Sequence, residues 1–367
     1  MPRGRQGIGL ALSGGGFRAA LFHMGALRRL FELGVLQDPA FRTVSSVSGG
    51  SIAAAAVAQG MVRNGGQWPA DLPEWERLIE KPLRDLTRGD LRTGVLARKY
   101  LLPWRMLDRD YAVEAFAARL HERLTPLRLR ELPERPVFAL CATDLSFGAA
   151  FIFSRERMGS WQAGWMKPPE DFSLATAAAT SAALPPLFGP LRLKEVARQL
   201  KGGKATSSER QQALADFRLS DGGVYDNLGV EPIWKSHAVV LVSDGSGLFQ
   251  GEADRGLFWR VRRYQGVQEE QARRLLRRGA HRVEEGDDGG GVLECGWGEG
   301  SLRSPPTDWL PRDDVELSVW QRPRAAPGRP GKQRLGANGK ARTRPGHRLS
   351  PQGRNCGPIR GPAGDRM

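Results

Sequence analysis

The chain has 367 residues, 40% of them hydrophobic, which is enough for one large α/β domain with a full core. The formal charge is +15, but the segment 321–367 contains twelve Lys and Arg residues against one acid, Asp365, and so carries +11 of it. The rest of the chain is close to neutral, which argues against a nucleic-acid partner, because nucleic-acid-binding domains concentrate basic residues on their folded surface.

The sequence contains no pattern for export or for spanning a membrane. Three cysteines form no CxxC pair, which argues against a zinc site or a disulfide framework and favours a reducing compartment. The apolar run Ile8–Leu12 is too short for a signal peptide, and no stretch approaches the ~18 apolar residues of a membrane helix. We therefore expect a cytoplasmic protein, and peripheral contact with a membrane surface stays open.

The first sixty residues alternate between apolar runs and helical patterns. Ile8–Leu12 predicts a short buried strand, and Phe17–Leu33 has the apolar spacing of a helix that Gly34 can end. Thr43–Val47 predicts a second strand, which leads into an alanine-rich helix over Ser51–Gln59. This strand–helix alternation indicates a parallel sheet with helices packed against it.

Further strands and helices are predicted downstream. The strands are expected at Val137–Ala142, Ala149–Phe153, Phe217–Leu219 and Ala238–Val242. One helix is expected behind an Asp110 cap and another over Leu174–Ala183, whereas 202–215 is expected to be a polar loop or excursion. Together, these elements predict a three-layer αβα fold with a central, mostly parallel sheet.

The chain divides into one domain and two C-terminal segments. We assign 7–283 to the domain, 284–320 to a poorly defined extension and 321–367 to a basic tail rich in Gly, Pro and Arg. Sixteen of the 47 tail residues are Gly or Pro. Such a composition buries too little apolar surface to offset chain entropy, so the tail is expected to be disordered.

A glycine-rich loop, Ser13–Arg18 (SGGGFR), joins the first strand to the first helix. Glycines let backbone N–H groups approach a ligand, and the N-terminus of a helix adds positive potential. Such a loop serves phosphate binding, an oxyanion hole or a tight turn without a ligand. The Gly-Lys-Ser/Thr ending of a P-loop is absent.

Two further motifs carry candidate catalytic side chains. Ser46–Gly50 (SVSGG) again lies between a strand and a helix, and it is a relaxed form of the GxSxG nucleophile elbow in which Ser46 replaces the first glycine. The alternative for Ser48 is a serine that caps the helix. Asp221 follows a predicted strand and precedes Gly222 and Gly223, an arrangement that also suits an ordinary turn.

Together these motifs resemble the patatin-like phospholipase family in their order, spacing and structural context over about residues 7–250. The family-like segments Ala142–Leu145 and Thr180–Phe188 agree with this resemblance. It implies that Ser48 is the nucleophile and Asp221 the general base. It also implies an oxyanion hole and supporting residues, which are the amides of Gly14, Gly15 and Gly16, a bracing Arg18, and Gly50, Gly222 and Gly223.

The resemblance implies a lipid acyl hydrolase that acts through an acyl-enzyme on phospholipids or other acyl-ester lipids, without a metal or cofactor. A non-catalytic lipid-binding or scaffold relative of the same fold is the alternative. A Ser-acid-His triad would need a late histidine, and His237 and His281 are the candidates. His237 directly precedes the strand Ala238–Val242 and so lies at its wrong end. For Asp144 and Asp244, turn roles are favoured over support of the site.

Overall fold

The residues described by a computed structural model are 5–89, 93–101, 108, 110–247, single positions between 256 and 274, and the strand 291–296. They belong to one compact unit that spans 1–321. The expected boundary at 283, the tail 321–367 and most of the extension 284–320 lie outside the described residues.

Ten strands of the described chain form one mixed sheet. They are β1 Ile8–Leu12, β2 Phe41–Val47, β3 Val137–Asp144, β4 Ala149–Phe153, β5 Met158–Ser160, β6 Gly164–Met166, β7 Leu191–Arg192, β8 Arg218–Asp221, β9 Val239–Asp244 and β10 Gly291–Gly296. The order is β10-β9-β1-β2-β3-β4-β5-β6, and β8 pairs with β3 and β7. Neighbours from β10 to β3 are parallel, and the other pairs are antiparallel.

Helices connect and cover the strands. They are α1 Gly16–Glu32, α2 Gly49–Arg63, α3 Leu72–Trp75, α4 Lys81–Arg88, α5 Thr93–Leu101, α6 Tyr111–Arg123, α7 Leu174–Ser181, α8 Lys194–Gln199, α9 Ser207–Leu214 and α10 Glu231–Trp234. A π-helical turn covers Glu76–Glu80, and 3₁₀ turns cover Leu129–Glu131 and Gly222–Val224. None of the described helices is long and apolar enough to cross a membrane.

Side chains alternate across the central strands, so each face of the sheet has its own core. In β1, Leu10 and Leu12 pack into the larger core with α1, α2, α6 and α7. Ala11 packs instead into a smaller core, with Ile233 of α10 and apolar side chains of β9. The mostly parallel centre and the helices on both faces confirm the predicted three-layer α/β fold.

The position of β8 in the sheet puts the strand ends that adjoin Ser48 and Asp221 beside one another. β2 pairs with β3 as far as Val47 opposite Cys141. β4 occupies the other edge of β3, so β8 joins β3 on the edge of β2, with Asp221 opposite Ala142. Because Ala142 directly follows Cys141, and Ser48 directly follows Val47, the ends of β2 and β8 meet beside one another.

The expected polar loop over 202–215 is wrong, because this segment contains α9. Thr206 and Glu209 form a capping box, in which the Thr206 amide donates to Glu209 Oε2 at 2.8 Å and the Glu209 amide donates to Thr206 Oγ1 at 3.4 Å. Such a box satisfies backbone donors at a helix start even where the helix has no apolar face. The polarity of the segment therefore does not indicate a loop, because the capping box is the local signal for a helix.

The helix α6 begins where predicted, but its cap is different. The Asp110 side chain makes no capping bond, and Oδ1 of Asp108 instead accepts the Tyr111 amide at 3.1 Å. The hairpin β5–β6 and the strand β10 were not predicted. β10 pairs in parallel with β9 and extends the sheet beyond residue 283.

Candidate active site

Ser48 lies in a sharp turn between β2 and α2. With φ 51° and ψ −116°, it is the one described residue other than glycine that has a positive φ. Such strain costs of order 1–3 kcal/mol and persists only where the surroundings hold it. The geometry is that of a nucleophile elbow, which presents a serine hydroxyl at the N-terminus of a helix.

The two glycines after Ser48 let α2 start against the glycine-rich loop. A Cβ at Gly49 would overlap the carbonyl oxygen of Gly16, and a Cβ at Gly50 would overlap that of Leu12. Any side chain at either position would push the elbow away from the loop. Close backbone approach therefore explains both glycines of the SVSGG motif.

The glycine-rich loop passes beside Ser48. A Cβ at Gly14 would lie 3.4 Å from that of Ser48, and Gly15 and Gly16 adopt φ values of 141° and 68°, which favour glycine. The Gly14 amide, a predicted oxyanion donor, donates to the carbonyl oxygen of Asn227 at 2.9 Å. The amides of Gly15 and Gly16 have no backbone acceptor within the described part of the chain.

Asp221 ends β8 with its side chain buried. Its Oδ1 accepts the Gly223 amide at 2.7 Å, and its carbonyl oxygen accepts the Thr143 hydroxyl at 2.7 Å. A Cβ at Gly222 would overlap the carbonyl oxygen of Cys141, so β8 could not pass this close to β3 with any other residue there. Gly222 and Gly223 therefore hold the Asp221 carboxylate at the end of β2.

Asn227 joins three segments of the site, a role that the sequence reading missed. Its carbonyl oxygen accepts the Gly14 amide, and its Nδ2 donates to Ser246 Oγ at 3.0 Å. Its Oδ1 fills the space beside Gly14 and Gly223, where a Cβ would collide with it. The DGG motif and the asparagine six residues later thus act as one unit.

Ser181, at the end of α7, was also missed. Its hydroxyl oxygen accepts the Ser48 amide at 2.9 Å. The available signal was its place in Thr180–Phe188, a segment already noted for its resemblance to the family. Composition alone gave no reason to single out one serine of a small-residue helix.

Arg18 lies exposed in the first turn of α1, with Nη2 3.0 Å from the point that a Cβ of Gly247 would occupy. It makes no hydrogen bond or ion pair with the described residues. The predicted bracing of the loop by Arg18 therefore stays a prediction.

None of the described histidines bonds Ser48, and two of them bond other groups. His23 is fully buried, with Nε2 2.8 Å from the Ser13 carbonyl oxygen and Nδ1 2.8 Å from Ser243 Oγ, and burial lowers its pKa to about 4. His23 is therefore a packed, hydrogen-bonded residue of the core. The His237 ring forms a hydrogen bond with the Thr43 hydroxyl near the start of β2, whereas Ser48 follows the other end of that strand. His281 lies outside the described residues.

The neighbouring carboxylates organise turns, as predicted. Asp144 accepts the amides of Ser146 and Phe147 and the hydroxyl of Ser160, and burial raises its pKa to about 6. Asp244 accepts the Ser246 amide at 2.9 Å. No group of three or more His, Cys, Asp or Glu side chains that could hold a metal ion occurs among the described residues.

Comparison with solved structures gives remote similarities. No curated protein matches the chain. Human GIVD cytosolic phospholipase A2 is similar with a TM-score of 0.45 and 15% identity, over 66% of this chain and 46% of that one. VipD from Legionella pneumophila has a TM-score of 0.31 and 14% identity, over 82% of this chain and 63% of that one. ExoU from Pseudomonas aeruginosa, in complex with SpcU, has a TM-score of 0.24 and 21% identity, over 49% of this chain and 38% of that one.

This chain thus spans less than two thirds of the length of each of these structures. Comparison with protein families is more specific. The profile of the patatin-like phospholipases matches residues 10–234, more than half of the chain, and this range includes the glycine-rich loop, the elbow and the Asp221 turn. The chain therefore belongs to the patatin-like phospholipase family.

Proposed function

We propose that this protein is a lipid acyl hydrolase that cleaves carboxylic esters of phospholipids, lysophospholipids or related lipids. The observation that carries the proposal is the strained backbone of Ser48 at the start of α2, beside the end of the strand that bears Asp221. Backbone strain of this kind collects at functional sites. Membership of the patatin-like phospholipase family supports the same activity.

In the proposed reaction, Asp221 acts as the base for Ser48. The carboxylate accepts the hydroxyl proton while Ser48 Oγ attacks the ester carbonyl carbon, and the carbonyl oxygen becomes an oxyanion. The leaving alcohol then takes the proton from Asp221, and an acyl-enzyme remains. Water attacks this ester with Asp221 again as the base, which releases the fatty acid and restores the serine.

The oxyanion is proposed to bind the amides of Gly15 and Gly16. Gly15 directly precedes α1 and Gly16 is its first residue, so the positive end of that helix adds to the stabilisation of the oxyanion. The Gly15 backbone is exposed and Gly16 is half-buried, which suits donors that must meet a substrate atom. The Gly14 amide is left out because it already donates to Asn227.

Apolar side chains near the Asp221 end of the sheet suit a lipid substrate. Leu145, Val224 and Tyr225 are each exposed by 39% to 47%. Leu145 follows β3, and Val224 and Tyr225 follow the DGG motif. Exposed apolar groups that follow the strands of the proposed site favour binding of acyl chains or contact with a membrane surface.

The alternative is a lipid-binding or scaffold relative that keeps the fold without the reaction. The two functions differ in the reactivity of Ser48. A fluorophosphonate probe should label the proposed hydrolase at Ser48, as mapped by peptide mass spectrometry, and Ser48→Ala should abolish labelling. Ser208→Ala, at an exposed serine of α9, is the matched control and should label like the wild type.

Labelling of folded Ser48→Ala at the wild-type rate would overturn the assignment of the nucleophile. A folded wild-type protein that is neither labelled nor active on a panel of intact lipids and short-chain esters would favour the non-catalytic alternative.

A further inference from the structure

Three buried serine hydroxyls form a connected chain beneath the nucleophile elbow. Ser46 Oγ lies 3.1 Å from Ser51 Oγ, which lies 2.8 Å from Ser181 Oγ, and all three residues are fully buried. We propose that this chain positions the elbow and that Ser181 is the positioning residue that holds the backbone of Ser48. The inference rests on the proposed hydrolase function.

The end groups determine the direction of every hydrogen bond in the chain. The Ser48 amide can only donate, and it reaches Ser181 Oγ at 2.9 Å. The Cys141 carbonyl oxygen can only accept, and it takes the single Ser181 proton at 2.6 Å. Ser51 must therefore donate to Ser181, and its own oxygen is left to accept from Ser46. The result is a directed network that satisfies each member.

The Ser181 hydroxyl links the Ser48 amide to β3, the strand with which β8 and Asp221 pair. The Cys141 carbonyl oxygen that it binds is also the atom against which Gly222 packs without a Cβ. Two residues beyond Ser181, the Ala183 carbonyl oxygen accepts the Asp221 amide at 3.3 Å. The end of α7 therefore contacts the backbone of both Ser48 and Asp221 and sets their relative position.

This network also gives Ser46 a role of its own. Ser46 occupies the first position of the elbow, where a glycine is usual, and its hydroxyl supplies the donor for Ser51. The Ala139 carbonyl oxygen is the more distant alternative acceptor for the same Ser46 proton, at 3.5 Å. The departure from GxSxG in this chain therefore adds the first link of the hydroxyl chain.

The test is Ser181→Ala, which removes the acceptor of the Ser48 amide without changing any reacting group. We expect kcat on a short-chain ester to fall about 10- to 100-fold, because small displacements of a catalytic group have effects of this size. KM should change less than about threefold, since the groups that contact substrate remain. Ser181→Thr, which keeps a hydroxyl, should recover most of the lost kcat.

Two variants test whether the loss follows the proposed contacts. Thr180→Val removes a buried hydroxyl from the same helix, which among the described residues donates to the carbonyl oxygen of Thr176. Its kcat should stay within about threefold of wild type. Ser46→Gly removes only the first link and should lower kcat less than Ser181→Ala does. Equal losses for Thr180→Val and Ser181→Ala would overturn the proposal, because general destabilisation of α7 would then explain both.

Amide hydrogen exchange gives a measurement that needs no catalysis. In folded Ser181→Ala, the Ser48 amide should exchange at least about tenfold faster than in wild type, whereas Thr180→Val should leave it unchanged. Unchanged exchange in Ser181→Ala would overturn the positioning role. If wild type is neither labelled nor active, the proposed hydrolase fails, and the exchange experiment still decides whether Ser181 holds the elbow.

Discussion

Two buried titrating side chains, His23 of α1 and Asp144 at the end of β3, should make the free energy of unfolding respond to pH in opposite directions. Burial lowers the pKa of His23 from 6.5 to about 4, so the stability that neutral His23 contributes is complete above pH 6.5 and is lost as the pH falls through 4. Burial raises the pKa of Asp144 from 3.8 to about 6. Its contribution is complete below pH 3.8 and is lost as the pH rises through 6.

The two effects have similar sizes. One pKa unit corresponds to about 1.4 kcal/mol, so each of these pKa changes is worth about 3 kcal/mol in the free energy of unfolding. Between pH 4 and 6, the unfolded chain binds the His23 proton that the folded protein lacks, while the folded protein keeps the Asp144 proton that the unfolded chain loses. The two contributions to the change of the unfolding free energy with pH therefore nearly cancel in the wild type.

Single substitutions should separate the two contributions to the pH dependence of stability. His23→Gln keeps a donor for Ser13 and an acceptor for Ser243 but does not titrate, and Asp144→Asn removes the other titration. Relative to wild type between pH 4 and 6, His23→Gln should lose up to about 3 kcal/mol of stability as the pH rises, and Asp144→Asn should gain a similar amount. Urea unfolding at fixed pH values measures both differences, and other titrating groups drop out of the comparison.

Ser208→Ala provides the control, because Ser208 is exposed on α9 and its replacement removes no titrating group. Its stability profile should run parallel to that of wild type. Parallel profiles for His23→Gln and Asp144→Asn as well would refute the reasoning, since neither buried group would then have a different proton affinity in the folded and unfolded states.

The remaining predictions concern the reaction. Asp221→Asn should lower turnover by about 10³-fold or more, whereas Asp144→Asn, at the neighbouring strand end, should stay within a few fold. His237→Ala should keep most activity, and the pH–rate profile should lack a limb near 6.5; a folded His237→Ala as inactive as Ser48→Ala would instead indicate a triad. Deletion of 321–367 should leave short-chain ester turnover within a few fold, and a loss confined to anionic vesicle substrates would assign the tail to membrane binding.

Local patterns in the sequence were enough to predict the start of the fold. Apolar runs that end in glycines placed β1 and β2, and helical spacing placed α1 and α2, because these signals extend over only a few turns. The same local chemistry singled out Ser48, since a small-residue turn between a strand and a helix is a short-range feature. The capping box at Thr206 was equally local, and reading that segment only by its polarity concealed α9.

The sequence by itself determined which residues form the elbow, the glycine-rich loop and the DGG turn, together with the parallel sheet that carries them. Only the tertiary structure decided how these motifs meet. β8 joins β3 beyond the end of β2, so the strand end that bears Asp221 adjoins the strand end that precedes Ser48. Ser181 reaches the Ser48 amide across 133 positions of the chain. The commitment of the Gly14 amide to Asn227 is likewise a long-range contact. Such pairings depend on how whole elements pack, and no local pattern of side chains specifies them.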